Sequence, residues 1–232
     1  MLYIVSTPIG NLKDITFRAI ETLKSVDWIA AEDTRHTKIL CNHYAINTPL
    51  TSYFEHNQIK KGDYLLTLLK EGKNIALVTD AGTPGISDPG YHLISLAKGN
   101  NIPLTVIPGP TALIAALSLS GLPTDRFVFE GFLPVKSGAR RRKLEEFKEE
   151  KRTIIFYESP YRLVKTLKDM EEVLGDPVVV CAREMTKKFE EIKKEKASVL
   201  FEYFSKIKPR GEFVVLLDTK NYSPIFTPKP AL

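Results

Sequence analysis

The segment richest in groups that could hold a small ligand is Asp80-Ala81-Gly82-Thr83-Pro84-Gly85-Ile86-Ser87-Asp88-Pro89-Gly90, directly after the apolar run 75–79. It combines glycines, prolines, small hydroxyl residues and acids with almost no apolar bulk. Bare backbone of this kind lets a ligand come close. Exposed N–H groups suit a carboxylate, and carbonyls or the Asp80 carboxylate suit an ammonium. The loop reads as a ligand site that suits a zwitterion or a phosphate alike. Two more loops follow apolar runs: Pro108-Gly109-Pro110-Thr111 and Glu158-Ser159-Pro160-Tyr161. Asp88 and Ser159 have the residue types of helix N-caps, and Pro89 and Pro160 suit the first helical turn.

A second chemical signal is Lys136-Ser137-Gly138-Ala139-Arg140-Arg141-Arg142-Lys143. Three consecutive arginines at a helix start oppose the helix dipole, so phosphate binding accounts for them better than stability does. The run from Lys187-Lys188 to Lys193-Lys194 is interleaved with Glu190, Glu191 and Glu195 and reads as a mixed solvated face. The net charge is +5. Acids and bases balance over residues 1–121, so the excess lies in 122–232. A polyanionic partner fits that asymmetry, as does a plain Lys/Glu surface.

Other chemistries lack their signatures. No G-x-G-x-x-G follows the first apolar run, and no Walker loop or G-x-S-x-G elbow occurs. The four histidines (36, 43, 56 and 92) show no metal-ligand spacing. Cys41 and Cys181 are far apart, which fits a reducing compartment without disulfides. The N-terminal run Leu2–Ser6 is strand-like and not preceded by a basic leader. No apolar stretch approaches the ~18 residues that span a bilayer. These readings place the chain in the cytoplasm, with no metal and no membrane partner.

Positioning such loops requires an alternating framework. Strands are predicted at 2–6, 27–31, 75–79, 104–107, 127–131, 153–157, 178–182 and 213–217. Helices are predicted near 16–25, 34–44, 57–70, 89–99, 111–120, 139–150, 161–173 and 196–206. This alternation predicts an α/β fold with mainly parallel pairing. Gly121-Leu122-Pro123-Thr124-Asp125 is a turn-rich break, which divides the chain into α/β domains at 1–121 and 122–220. Residues 221–232, with three prolines, are expected to form an extended tail.

Taken together, several segments form a pattern. They are Thr7-Pro8-Ile9-Gly10-Asn11-Leu12, Ala31-Glu32-Asp33-Thr34-Arg35, the Asp80–Gly90 loop, Ile107-Pro108-Gly109-Pro110-Thr111-Ala112 and Ser120-Gly121-Leu122-Pro123. The second half adds Gly131-Phe132-Leu133-Pro134, Tyr157-Glu158-Ser159-Pro160-Tyr161-Arg162, Ala182-Arg183-Glu184-Met185-Thr186-Lys187 and Gly211-Glu212. Their order and spacing over nearly all of residues 1–219 resemble the 16S ribosomal RNA (cytidine 2′-O-ribose) methyltransferases, within the tetrapyrrole methylase superfamily. Met185 and Tyr161 depart mildly from that pattern.

The resemblance implies two α/β domains with S-adenosylmethionine in the cleft between them, and a homodimer. It implies 2′-O-methylation of a decoding-region cytidine, with 16S rRNA or the small ribosomal subunit as partner. It also implies cofactor contacts at Pro8, Asp80, Gly82, Thr83, Pro84, Ile86, Ser87, Asp88, Thr111, Ala112, Tyr157, Glu158, Glu184 and Met185. The cofactor's methionine end carries both groups that the loop chemistry suits. A ribose hydroxyl attacks poorly until it begins to lose its proton. Asp33, Glu158 and Glu184 are candidate bases, with Arg35, Arg183 or Lys187 as electrostatic partners. Arg35, Lys136, Arg140, Arg141 and Arg142 are expected to grip RNA phosphates. The alternatives are a precorrin-type tetrapyrrole C-methyltransferase and a non-catalytic RNA-binding protein.

Overall fold

The computed structural model describes residues 1–219, so the expected tail at 221–232 lies outside the described residues. The chain divides into two compact units after Ala112. That division falls ahead of the Gly121 turn expected to separate them, because the helix ending there groups with the second unit.

The first unit runs β1 (Leu2–Val5), α1 (Phe17–Ser25), β2 (Trp28–Ala31), α2 (Thr34–His43), β3 (Leu50–Ser52), α3 (Gln58–Lys70), β4 (Ile75–Val78), α4 (Tyr91–Gly99) and β5 (Leu104–Ile107). Its sheet has the order β3-β2-β4-β1-β5, and every pairing is parallel. Side chains alternate across the sheet, as a period of two requires. Val5, Ile29, Ala31, Ala76 and Val78 pack with α1 and α2 on one face. Leu2, Ile4, Ala30, Ile75 and Leu77 pack with α3 and α4 on the other. Burial on both faces is why these strands read as unbroken apolar runs. Helix starts are capped locally: Thr16 Oγ1 accepts from Ala19 N at 3.1 Å and Asp33 Oδ1 from Arg35 N at 2.8 Å.

Two expectations change here. β3 was not foreseen. Asp88-Pro89 does not start α4, which begins at Tyr91 after Gly90. The loop folds back on itself instead, so that a Cβ on Gly90 would lie 2.7 Å from Gly85 N.

The second unit runs α5 (Ala112–Ser120), β6 (Phe127–Phe132), α6 (Ser137–Phe147), β7 (Thr153–Glu158), α7 (Pro160–Leu174), β8 (Val178–Arg183), β9 (Glu191–Lys196), α8 (Ala197–Ile207) and β10 (Phe213–Leu217). Its sheet has the order β6-β7-β10-β8-β9. Ile154, Phe156, Val179, Cys181, Phe213 and Val215 form a core with α6, α7 and α8. Ser159 holds the N-cap backbone position of α7, with Pro160 at its first turn, but its side chain makes no cap bond.

The expectation of mainly parallel pairing fails for this sheet. Only β6 and β7 run parallel; β10 inserts antiparallel between β7 and β8, and β9 is antiparallel to β8. The segment between β8 and β9 is too short for the crossover that a parallel pair needs. The latter part of the Lys/Glu run expected to be a mere solvated face is β9, at the sheet edge. Charged side chains there discourage pairing with another chain.

Candidate active site

In the first sheet, β1 and β2 each send the chain to α1 and α2 on one face, whereas β4, lying between them, sends it to α4 on the other. Loops that part in this way open a crevice beyond the strand ends. The β1, β4 and β5 loops stand side by side there. Thr7 and Gly82 exchange backbone bonds, N→O 2.8 Å and 3.1 Å, and Thr7 Oγ1 donates to Thr79 O at 3.0 Å. Ser6 Oγ and Thr83 Oγ1 are 2.8 Å apart. A Cβ on Gly109 would lie 2.9 Å from the Ser6 Cβ, so the β5 loop reaches this place only as glycine.

Pro8 and Pro84 are buried, Thr83 is half-buried, and Ile86 and Ser87 are exposed. Gly82 and Gly85 have φ of 86° and 84°, and Ser87 holds 64° without being glycine. Such backbone persists where its surroundings fix it. Thus Pro8, Asp80, Gly82, Thr83, Pro84, Ile86, Ser87, Asp88 and Thr111 all lie on loops at one end of one sheet, and Ala112 opens α5 directly after them. The cradle is lined by backbone and hydroxyls, which fits the amino-acid end of S-adenosylmethionine.

An acidic group borders this loop. Glu32 Oε2 accepts from Thr79 Oγ1 at 2.5 Å and from Asp80 N at 3.3 Å. Asp80 Oδ1 accepts from Asp33 N at 3.1 Å. Burial, with the nearby Glu32 and Asp33 charges adding to it, pushes the Asp80 carboxyl above its ordinary value. Asp33 goes the other way. The Arg35 guanidinium grips it at 2.6 Å and the Arg35 amide adds a bond, holding it far below the usual carboxylate range. Asp33 is therefore a poor proton acceptor, and Arg35, although 90% exposed, is its partner.

In the second unit Glu158 ends β7 with its side chain fully enclosed. It accepts from Thr166 Oγ1 at 2.6 Å and Ser159 N at 2.8 Å, and Arg162 Nε lies 3.1 Å away. These bonds tie β7 to α7. Tyr157 stacks edge-on with Phe129, ring centroids 5.0 Å apart.

Glu184 begins the β8–β9 loop at φ 51°, with Thr186 at 66°. A Cβ on Gly211 would overlap the Glu184 side chain. Lys187 Nζ bridges Glu184 at 3.0 Å and Glu212 at 2.9 Å. Burial pushes the Glu184 carboxyl up, but Lys187, the Glu212 amide and Arg183 together leave it below its ordinary value. Lys187 is likewise opposed by burial, yet its two carboxylate partners raise it and keep it cationic. Met185 is buried beside this pair in sequence.

The arginine cluster divides. Arg140 is 3% exposed and pairs with Asp169 of α7 at 2.6 Å, while Nη1 donates to Val135 O. Arg141 bridges Asp169 at 3.2 Å and Glu172 at 2.5 Å. The carboxylates of α7 thus offset the dipole conflict that suggested phosphate binding. Arg140 is corrected from an RNA contact to a buried tie between helices, and Arg141 is largely committed to the same tie. Arg142 and Lys136 are exposed.

Glu32, Ser6, Asp169 and Gly211 were not foreseen as important. Glu32 and Gly211 stood in recognisable segments, but nothing local distinguished them. Ser6, a small hydroxyl residue at a strand end, carried the usable signal. Among the described residues there is no cluster of three or more His, Cys, Asp and Glu placed to hold a metal, and no helix long and apolar enough to cross a membrane.

Residues 1–200 match the family model of the Tetrapyrrole (Corrin/Porphyrin) Methylases. The chain is 51% identical over 219 residues to the ribosomal RNA small subunit methyltransferase I of Thermotoga maritima, covering 94% of this chain and 98% of that one. It is 51% identical over 220 residues to the protein of the same name from Escherichia coli O157:H7, covering 94% and 77%. Among solved structures, the cobalt precorrin-4 methyltransferase CbiF aligns with a TM-score of 0.69 at 20% identity, over 94% of each chain. The uroporphyrin-III C-methyltransferase of Thermus thermophilus, complexed with S-adenosylhomocysteine, aligns with a TM-score of 0.65 at 20% identity, over 94% of this chain and 97% of that one. At such identities these structures speak for the fold alone. Near-complete matches at half identity go further: the chain belongs to the ribosomal RNA small subunit methyltransferase I family, within the tetrapyrrole methylases.

Proposed function

We propose that this protein transfers a methyl group from S-adenosylmethionine to the ribose 2′-oxygen of a cytidine in 16S ribosomal RNA. The observation that carries the proposal is the 51% identity to ribosomal RNA small subunit methyltransferases I over 94% of the chain. The strapped, glycine-dependent loop cradle beyond β1, β4 and β5 supports it independently.

The cofactor, when bound, would supply a sulfonium-activated methyl: the 2′-oxygen would form the new C–O bond as the C–S bond breaks, the C–S electron pair would stay on sulfur to leave S-adenosylhomocysteine, and the hydroxyl proton would pass to water. The protein's part is placement, for which rigid alignment supplies about 7–11 kcal/mol. The Asp80–Asp88 loop, Pro8, Thr111 and Ala112 hold the amino-acid end: N–H groups face its carboxylate and Asp80 its ammonium. Contacts at Tyr157, Glu158, Glu184 and Met185 belong to the same proposal, and each is open to substitution. Lys187, held cationic, suits the stabilisation of negative charge developing on the 2′-oxygen. Arg35, Lys136 and Arg142 are the exposed cations proposed to meet RNA phosphates. The enzyme is proposed to act in the cytoplasm as a homodimer.

A tetrapyrrole substrate is the alternative that the solved neighbours suggest, and a single assay separates the two. Labelled S-adenosylmethionine is offered to isolated small subunits, to naked 16S RNA and to a precorrin. Label in RNA alone supports the proposal. Label in the macrocycle alone would overturn it and leave only the fold and cofactor.

A further inference from the structure

Beside the cofactor loop lies a cavity of about 230 Å³ to which the proposed chemistry so far gives no role. Glu55 and Gln58, at the start of α3, form one wall, and Ser87, Asp88 and Tyr91, leading into α4, form the other. The walls are fixed to each other. Tyr53, fully buried at the end of β3, accepts from Leu93 N through its hydroxyl at 3.0 Å, two residues beyond Tyr91. Asn57 closes the opposite wall, accepting from Phe54 N at 2.9 Å.

Three of the side chains facing this space are unspent. Glu55, Gln58 and Tyr91 make no side-chain hydrogen bond or ion pair among the described residues. Tyr91 is 78% exposed, although a large aromatic gains by being covered. Ile59, Ile86 and Phe54 are exposed nearby in sequence, so both loops present apolar surface as well as polar groups.

We propose that this cavity receives the base of the target nucleotide, and that Glu55, Gln58 and Tyr91 select cytosine. The inference rests on the RNA-methylating reading above. Proteins that read RNA by sequence stack splayed bases on aromatic rings and bond to their edges. The Tyr91 ring supplies the stacking face. The Glu55 carboxylate accepts from the exocyclic amine of cytosine, as acidic side chains do. The Gln58 amide donates to the ring nitrogen beside that amine. Uracil presents a carbonyl where cytosine has the amine, so its oxygen would face the Glu55 carboxylate. The cavity has room for one nucleobase. Because Ser87 and Asp88 belong both to it and to the cofactor loop, a base held here brings its own ribose next to the methyl donor.

The test uses the full-length protein and small subunits carrying either cytidine or uridine at the methylated position. The wild type is expected to prefer cytidine by about ten-fold or more, and Glu55→Gln, able to donate as well as accept, to lose most of that preference. Tyr91→Ala is expected to raise KM for RNA about ten-fold through lost stacking, with Tyr91→Phe near wild type. All three variants should bind S-adenosylmethionine in calorimetry as the wild type does. If the wild type methylates RNA but Glu55→Gln keeps its cytidine preference and Tyr91→Ala its KM, the base pocket is wrong and the methyltransferase reading stands. If the wild type transfers no methyl group to RNA, that reading fails and the pocket with it.

Discussion

Asp169 holds two arginines at once, and its removal separates structural from RNA-facing charge. Asp169→Ala would strand the Arg140 guanidinium in the interior between α6 and α7. Breaking a buried pair from one side costs about 3–5 kcal/mol, so the urea midpoint should fall steeply. Arg142→Ala, on the exposed side of the same helix, should leave that midpoint within about 0.5 kcal/mol of wild type. Similar midpoints for the two variants would contradict the division drawn here. Nothing in the run Arg140-Arg141-Arg142 could have disclosed it, because the carboxylates that claim two of the three arginines lie almost thirty positions further on.

The Glu184–Lys187–Glu212 bridge makes a prediction about pH. Glu184 titrates below its ordinary value of 4.5 in the folded chain. Folding therefore favours the ionised form. Its contribution is complete above the ordinary value and is lost as pH falls through the lowered one. Denaturation at a series of pH values should show Glu184→Gln losing less stability than the wild type across that acid window. Equal acid limbs would mean that the bridge contributes nothing. The three groups belong to one recognisable motif and a later Gly-Glu pair. Their contact became visible only once β10 was seen paired beside β8.

Among elements, the loop between β4 and α4 needs Gly82 and Gly85 for their positive φ and Gly90 for space. A methyl on Gly90 meets the backbone of Gly85, which cannot swing aside as a long side chain would. Gly90→Ala should cost about 1–3 kcal/mol of stability and weaken S-adenosylmethionine binding in calorimetry, because the displaced residues lie in the cofactor cradle. Unchanged affinity would place the cofactor elsewhere.

All eight predicted helices form, since their amphipathic or apolar runs are long enough to register. The central strands were legible for the same reason. β3 escaped notice because Leu50–Ser52 is too short to establish a period. β9 escaped because its sequence, Glu-Ile-Lys-Lys-Glu-Lys, is what an edge strand needs and what a solvated surface also looks like. Strand direction in the second sheet was illegible, as the apolar runs of β7, β8 and β10 are equally apolar whichever way a neighbour runs.

At the scale of the whole molecule, the excess of +5 is expected to act on RNA through few exposed cations. With Arg140 and Arg141 paired internally, Arg35, Lys136 and Arg142 are the cations proposed to make the phosphate contacts. Each that neutralises a phosphate steepens the fall of log affinity with log salt by about 0.7–0.9. Arg142→Ala and Lys136→Ala should each reduce that slope by nearly one, without changing preference between RNA sequences. A slope insensitive to all three would remove the proposed RNA-facing surface.

The destination of the methyl group decides the function. Small subunits labelled by this enzyme from S-adenosylmethionine can be stripped to RNA and hydrolysed in alkali. Cleavage needs a free 2′-hydroxyl, so methylated ribose survives as a resistant dinucleotide. One labelled, resistant dinucleotide is expected, its 5′ nucleoside 2′-O-methylcytidine. Label released in ordinary mononucleotides would place the methyl group on a base and contradict it.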